Sequence, residues 1–576
     1  MTIGRDTVAL EYARPDVAAA GLTEEHETLL APTPEGPEGP EGGDENHYFD
    51  DASDDDTDVE EVKDLDLDPV LSGIDNVEEA GLGRHLGVTS ATLLGISQMV
   101  GTGIFSTPSS ITMSVGSVGA SLILWVIGLL LSFCGLFIWL ELACIFPISG
   151  GEKVYLEKAY PRPKYLTSII FAIYAVVLSS SAGGCIVFAE NIVLAAGFEP
   201  RESVMKVIAI LAMVGVTLMH SLVPRTGVHV MNSLAIIKIL ILLFLITTGI
   251  IIFFSGIPSV PEPLASFRSP FANSSTSIYD YTIALFKVLS SFGGWQGCTS
   301  VMSEVRNPVR TVRIAGPLSL AIVGILYLLA NITYFAAATP TELSSSGVTV
   351  AAFFMGKVFG TTAQRSAAGF VALSALGNIM SGSFGMARVD QELAKEGMLP
   401  ASRVWARNLK HNQSPAAALG LVCLTTALTV AIVPFGDAYN FMLDVGGYPS
   451  ALIGLLVALG LFILRSRPPF SLIPRPFKAL RSLSILFLFA QVLLLAAPII
   501  PPKEGRGDTA LPYWAAPLVS VLVLSSGVLY WAIWQVSLPK LGQFVWERVE
   551  TKLDDGTAFV VWKKKKTDDR SQYELV

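Results

Sequence analysis

Met99-Val100-Gly101-Thr102-Gly103-Ile104-Phe105 interrupts a hydrophobic segment that runs from about Val88 to Val115. Two glycines around a threonine favour an unwound turn there, because glycine adopts backbone angles that other residues resist and is a poor helix former. In a bilayer, free N–H groups need partners, and irregular backbone is tolerated only where it faces protein or a watery cavity. The half-helix that starts near Ile104 therefore offers amide donors and a partial positive charge, a seat for an anionic group such as a carboxylate.

The rest of the chain supports a membrane setting for that break. Of its 576 residues, 51% are hydrophobic and 15% charged, the mean hydropathy is +0.55, and the apolar residues come in long blocks. The net charge of -10 is unevenly spread: residues 1–80 hold 25 acidic and three basic residues, which leaves +12 for the remainder. Low hydrophobicity and like charge predict disorder over residues 1–85, an acidic cytoplasmic tail. Two roles are open for it: a solvated spacer, or a regulatory segment read by ubiquitin-linked trafficking machinery. No apolar run near Met1 has the form of a cleavable signal peptide. The five cysteines, Cys134, Cys144, Cys185, Cys298 and Cys423, fall in apolar segments without metal-ligand spacing, so they read as buried small hydrophobes. No metal, cofactor or nucleic acid is implied.

From Leu86, twelve apolar segments are each long enough for the ~20 residues that cross a bilayer. They lie near 88–115, 118–146, 165–196, 203–221, 228–254, 280–303, 314–338, 366–387, 414–433, 438–464, 481–500 and 512–536. Residues 86–536 thus form the expected twelve-span core, and 537–576 a C-terminal cytoplasmic tail. Arg and Lys concentrate in alternate loops, among them Lys153, Lys158, Arg310, Arg403 and Arg475. The positive-inside rule then puts both termini in the cytosol. The tract Lys563–Lys566 would face an anionic leaflet or stand as a solvated charge run. Asn273-Ser274-Ser275 is a glycosylation sequon in an outward loop.

A second break, Ser290-Ser291-Phe292-Gly293-Gly294-Trp295-Gln296, interrupts the sixth segment. Breaks in the first and sixth of ten segments suggest two five-span halves, and matched interruptions of that kind point to a transporter site. At this point the motifs carry a resemblance. Gly101-Thr102-Gly103-Ile104-Phe105 resembles the first-helix signature of the amino acid/polyamine/organocation superfamily, and Pro147-Ile148-Ser149-Gly150-Gly151 with Tyr155 resembles its motif after span two. Gly293-Gly294-Trp295 with Glu304-Val305-Arg306-Asn307-Pro308, then Lys395-Glu396-Gly397-Met398-Leu399-Pro400, resemble its later motifs in order. Within the superfamily the chain is most similar to L-type amino acid transporters, and more narrowly to fungal permeases of the high-affinity methionine type.

The resemblance implies an all-α polytopic membrane protein of twelve transmembrane helices, a five-plus-five inverted repeat with helices 1 and 6 broken. Substrate would lie between the breaks, its carboxylate on the amides of Thr102, Gly103 and Ile104 beside Gly101. Its ammonium would meet carbonyls near Met99 and Phe292, with Gly293 and Gly294 completing the second break. Relatives with a bulky aromatic three residues before the paired glycines use it as a lid; here Ser290 stands there, and Phe292 is the candidate substitute. Trp295, Glu304 and Arg388 are expected to gate or to brace the inner end. The loop 196–202 has no cysteine, so no disulfide-linked heavy subunit is expected.

Lys238 sits in the middle of the apolar run 234–240, where an ionisable residue is costly and usually functional. Two readings stay open: it couples proton movement to transport, or it is a fixed internal cation replacing sodium, as the resemblance implies. The small residues Ser181, Ala182, Gly183 and Gly184 would leave room for an unbranched side chain or simply pack helices. The expected function is a secondary active amino acid permease of the plasma membrane that imports neutral L-amino acids, methionine-like, by proton symport. A carrier of cationic amino acids or polyamines, motivated by Glu190 and Asp444, and a non-transporting nutrient sensor, motivated by the acidic tail, are the alternatives. No catalytic motif supports an enzyme.

Overall fold

The computed structural model describes residues 87–147, 151–178, 180–260, 262–297, 307–435, 438–468, 470–473, 475–502 and 511–566. The acidic segment, Cys298, Glu304 and Arg306 lie outside them. The first interrupted segment is two helices, α1 (Val88–Met99) and α2 (Gly103–Val115), bent by 44° across the break. After it come α3 (Val118–Ile145), a short loop helix α4 (Glu152–Ala159), α5 (Leu166–Ile173), α6 (Ala182–Ala196), α7 (Glu202–Leu222) and α8 (Pro224–Ser255). The second half holds α9 (Ile278–Ser291), α10 (Pro308–Ala337), α11 (Val350–Phe359), α12 (Thr361–Lys395), α13 (Ala416–Ile432), α14 (Ala438–Ser466), α15 (Arg481–Ala496) and α16 (Ala515–Trp531).

Among the described residues nine helices are long and apolar enough to cross a membrane, or ten when α1 and α2 are one span. The sixth and ninth expected segments appear as shorter helices. α9 stops where Phe292-Gly293-Gly294 removes helix-forming residues, and α13 stops immediately before the Val433-Pro434 pair, whose proline pushes Val433 into extended backbone. The third segment is not one uniform helix either: α5 runs into a π turn, Tyr174–Leu178, before α6 begins. Outward faces carry exposed apolar side chains such as Leu211, Ile236, Phe254 and Leu529. Those faces suit hydrocarbon, where the helices satisfy their own backbone groups.

At the end of the bundle where α1 begins, Glu141 at the end of α3 is buried and bound by two arginines. Arg465 forks onto it at 3.0 and 2.5 Å, Arg475 reaches it at 3.1 Å, and the Ala479 amide donates at 2.7 Å. This knot ties α3 to the end of α14 and to the segment leading into α15. Removing one member of a buried ion cluster leaves charge unpaired and costs ~3–5 kcal/mol. Glu141→Ala should therefore lower the melting temperature of the detergent-solubilised protein clearly, whereas Lys395→Ala, at an exposed pair with Glu392, should leave it within about a degree or two.

The Lys563–Lys566 tract is the exposed end of a strand. β1 (Phe544–Lys552) and β2 (Ala558–Lys566) form an antiparallel hairpin in which Glu547 faces Lys563 and Phe544 faces Lys566. Lys564 lies over the Phe544 and Trp546 rings. Trp562 stacks edge-on with Tyr165 at 5.1 Å and donates to the Glu396 carbonyl at 3.3 Å, while the Asn408 amide donates to Asp555. The C-terminal residues to Lys566 thus pack on the loops of the bundle's terminus side.

Candidate binding site between two broken helices

At the first break the helix ends are held by identifiable partners. The Ser97 carbonyl near the end of α1 accepts from Lys238 Nζ at 2.5 Å, and the Met99 carbonyl accepts from the Tyr327 hydroxyl at 2.8 Å. The Gly101 amide also reaches that hydroxyl. A cation on the last carbonyls of a helix meets both their unpaired lone pairs and the negative end of the dipole. Past the break, the amides of Thr102, Gly103 and Ile104 make no hydrogen bond among the described residues. Three donors thus stand at the start of a half-helix, where the Gly-Thr-Gly pattern leads one to expect an anion.

The second break touches the first through backbone. A Cβ placed on Gly294, whose φ is +110°, would stand 2.8 Å from the carbonyl carbon and oxygen of Gln98. One on Gly103 would stand 2.9 Å from Ser291 Cα, and one on Gly101 2.8 Å from the Asn378 amide oxygen. Thr107 and Ser291 share a hydroxyl hydrogen bond of 2.9 Å across the same crossing. Glycine is required here by close approach at Gly103, and by both approach and backbone angle at Gly294.

A cavity of about 490 Å³ opens beside this crossing, within the range of small-molecule sites. Thr102 and Gly103 form its wall on the first span, with Ser290, Gly293 and Gly294 on the sixth. Ser181, Gly183 and Gly184 contribute from the third, and Asn378 and Tyr439 from the eighth and tenth. Tyr439 lies 3.6 Å from the Cβ position of Gly183 and pairs with the Thr102 side chain. Toward the terminus side the wall continues through Trp139, Trp295 and Glu152. Trp139 and Trp295 meet edge to face at 5.2 Å.

Not every residue singled out by sequence reaches the cavity. Met99, Gly101, Thr102, Gly103, Ser290, Gly293, Gly294 and Trp295 do. Ile104 is fully buried behind the wall, and the Phe292 ring is packed against Trp125 and Tyr327 at 5.7 and 5.2 Å, turned away from the position a lid would take. Arg388 is exposed and lies 4.3 Å over the Phe384 ring. Glu190 and Asp444 are absent from the described wall; Asp444 lies instead near Tyr279, Tyr448 and Tyr513. Glu304 cannot be placed, since it falls outside the described residues. Sequence reading missed Tyr327, Asn378, Tyr439, Trp139 and Glu152. Glu152 had a signal, since it immediately follows the Pro147–Gly151 motif, whereas the others look like ordinary helix residues.

Broken first helix, crossed second break and the cavity beside them together fit a small-molecule carrier, and comparison of the sequence agrees. Residues 86–524 match the amino acid permease family. The chain is 33% identical to the high-affinity methionine permease of Saccharomyces cerevisiae over 466 residues, 80% of this chain and 81% of that one. It is 30% identical to the low-affinity methionine permease of the same yeast over 496 residues, 84% and 89% of the two chains. With the human b(0,+)-type amino acid transporter 1 it shares 29% identity over 456 residues, 78% and 88%. An integral membrane protein with this match and this site is a transporter and not an enzyme: the chain belongs to the amino acid permease family.

Proposed function

We propose that this permease imports neutral L-amino acids of methionine-like shape together with protons, across the plasma membrane, with both termini cytosolic. The observation that carries the reading is the set of free amides at Thr102, Gly103 and Ile104 beside a wall of small and apolar side chains. The amides suit a carboxylate. Ser290, Gly183 and Gly184 leave an unbranched side chain room, and Glu190 and Asp444, which motivated a cationic substrate, do not line the described wall. The names of the two yeast relatives favour methionine within the neutral class. The ammonium is assigned to carbonyls at the two breaks, where Met99 keeps one lone pair beside its bond from Tyr327.

Lys238 is assigned as the internal cation that steadies the end of α1, with proton coupling as its alternative role. The shorter helices α9 and α13 are counted as the sixth and ninth of twelve spans, arranged as two inverted five-span halves followed by two more. Partners in this reading are the amino acid, protons and the bilayer, with trafficking machinery at the tails and no disulfide-linked heavy subunit.

Uptake of radiolabelled methionine into permease-deficient yeast expressing the chain, at acidic and neutral outside pH, tests the assignment. Acid-stimulated uptake blocked by neutral but not by cationic amino acids is the expected result. Substrate-dependent signalling without flux, from protein shown to be at the surface, would establish the sensor instead. Orientation has its own test. Asn273 is exposed in a loop whose Ser275 amide donates to the Val115 carbonyl at the far end of α2, the side opposite the termini. Asn273→Gln should remove an endoglycosidase-sensitive mobility shift, and unchanged mobility in both proteins would count against this topology.

A further inference from the structure

We propose that Glu152 is the carboxyl that takes up and gives back the transported proton at the terminus-side end of the cavity; the inference rests on the proton-coupled reading above. Among the described side chains of the cavity wall, Glu152 is the one that carries a formal charge. It opens α4, a loop helix outside the spans, and reaches the cavity beside Trp139 and Trp295.

Among the described residues no ion pair joins it to a cation. Lys153, the next residue, is turned away into ion pairs with Glu396 and Glu157. Glu141 on the neighbouring α3 is consumed by Arg465 and Arg475. Arg467, past the end of α14, donates to the Ala159 carbonyl at the far end of α4. Tyr174 beyond α5 and Tyr439 on α14 are the other titratable groups of the described wall, and both are phenols. Burial pushes the Glu152 carboxyl up to about 7, with the Trp139 indole acting in the opposite direction. The group is therefore neutral at more acidic pH and ionised at more alkaline pH, with the crossover where a cell's two sides differ.

The step needs no co-reactant. With the cavity open to the acidic side, the carboxylate binds a proton from water and the wall loses its charge. With the cavity open to the terminus side, the acid returns that proton to water there. A neutral wall would accompany the substrate inward, and a charged one the empty return.

The test uses the full chain reconstituted in vesicles, with methionine as the probe and an internal pH dye. Methionine-driven proton entry and methionine exchange are measured for wild type, Glu152→Gln and Glu152→Asp. In Glu152→Gln, proton entry should fall about tenfold or more, while exchange, which needs no net proton, persists and loses its dependence on pH. Glu152→Asp should restore coupling with a shifted pH profile. Undiminished proton entry in Glu152→Gln overturns the assignment but leaves symport standing. Absence of proton entry in wild type overturns symport itself, and the assignment with it. Loss of exchange in both variants, from correctly inserted protein, would make Glu152 structural and also overturn it. So would a Glu152→Gln variant whose one change is loss of lysine or arginine uptake, since that would make the carboxylate a side-chain selector.

Discussion

Gly294→Ala should abolish transport while leaving the protein in the membrane. The alanine methyl would sit 2.8 Å from the main-chain carbonyl of Gln98, and neither partner is a flexible side chain that can step aside. Its φ of +110° adds backbone strain for any residue with a Cβ. Either the crossing opens or the second break rewinds, and both displace the cavity wall. A misplacement of about an ångström at a positioned site costs on the order of a hundredfold in rate, so uptake per surface molecule should fall by at least that much. Gly103→Ala, 2.9 Å from Ser291 Cα, should fall in the same direction. Gly420→Ala is the control: a Cβ there meets nothing within 4 Å, so it should transport as wild type. Equal uptake by Gly294→Ala and Gly420→Ala would show that the crossing is not part of the transport path.

Lys238→Met should remove concentrative uptake. The residue is 1% exposed and its ammonium lies 2.5 Å from the Ser97 carbonyl, and methionine keeps the length but not the donor. Charge-assisted hydrogen bonds contribute about 1.5–3 kcal/mol, equivalent to roughly ten- to a hundredfold in the population of the correctly held break. Both assigned roles therefore predict a large loss of accumulation. They separate in exchange assays: a steadying cation is needed in every turnover, so exchange falls with uptake, whereas a pure coupling group leaves exchange running. Full concentrative uptake by Lys238→Met would defeat both. Comparing it with Glu152→Gln in one preparation shows which group carries the proton and which one holds the helix.

The parts of the site that were legible in the sequence are those where composition departs from what a membrane helix tolerates. Gly101-Thr102-Gly103, the paired Gly293-Gly294 and Lys238 each break a strong local rule, and each sits at the crossing. What stayed hidden depends on which way a helix is rotated. Asn378, Tyr327 and Tyr439 lie on mostly apolar helices where one polar residue has many ordinary uses, and nothing in a single sequence says that they converge on Gly101, Met99 and Thr102. Phe292 illustrates the converse. Its position two residues from Ser290 suggests a lid, but about 200° of helical rotation separates residues two apart, and its ring packs on Trp125 and Tyr327 instead. The hairpin was missed for a different reason: strand pairing between residues 544–552 and 558–566 hides behind a lysine run that reads as solvated tail.

The donors at the first break are main-chain atoms, and this divides the cavity into two poles with different evolutionary freedom. Proline aside, no point substitution deletes the amides of Thr102 to Ile104, whereas Gly183, Gly382 and Ser450 elsewhere in the wall present side-chain positions that can be enlarged or made polar one at a time. On the function proposed above, a fixed pole for the group common to all amino acids, beside an adjustable wall for the part that differs, lets one scaffold change its diet in small steps without rebuilding its grip.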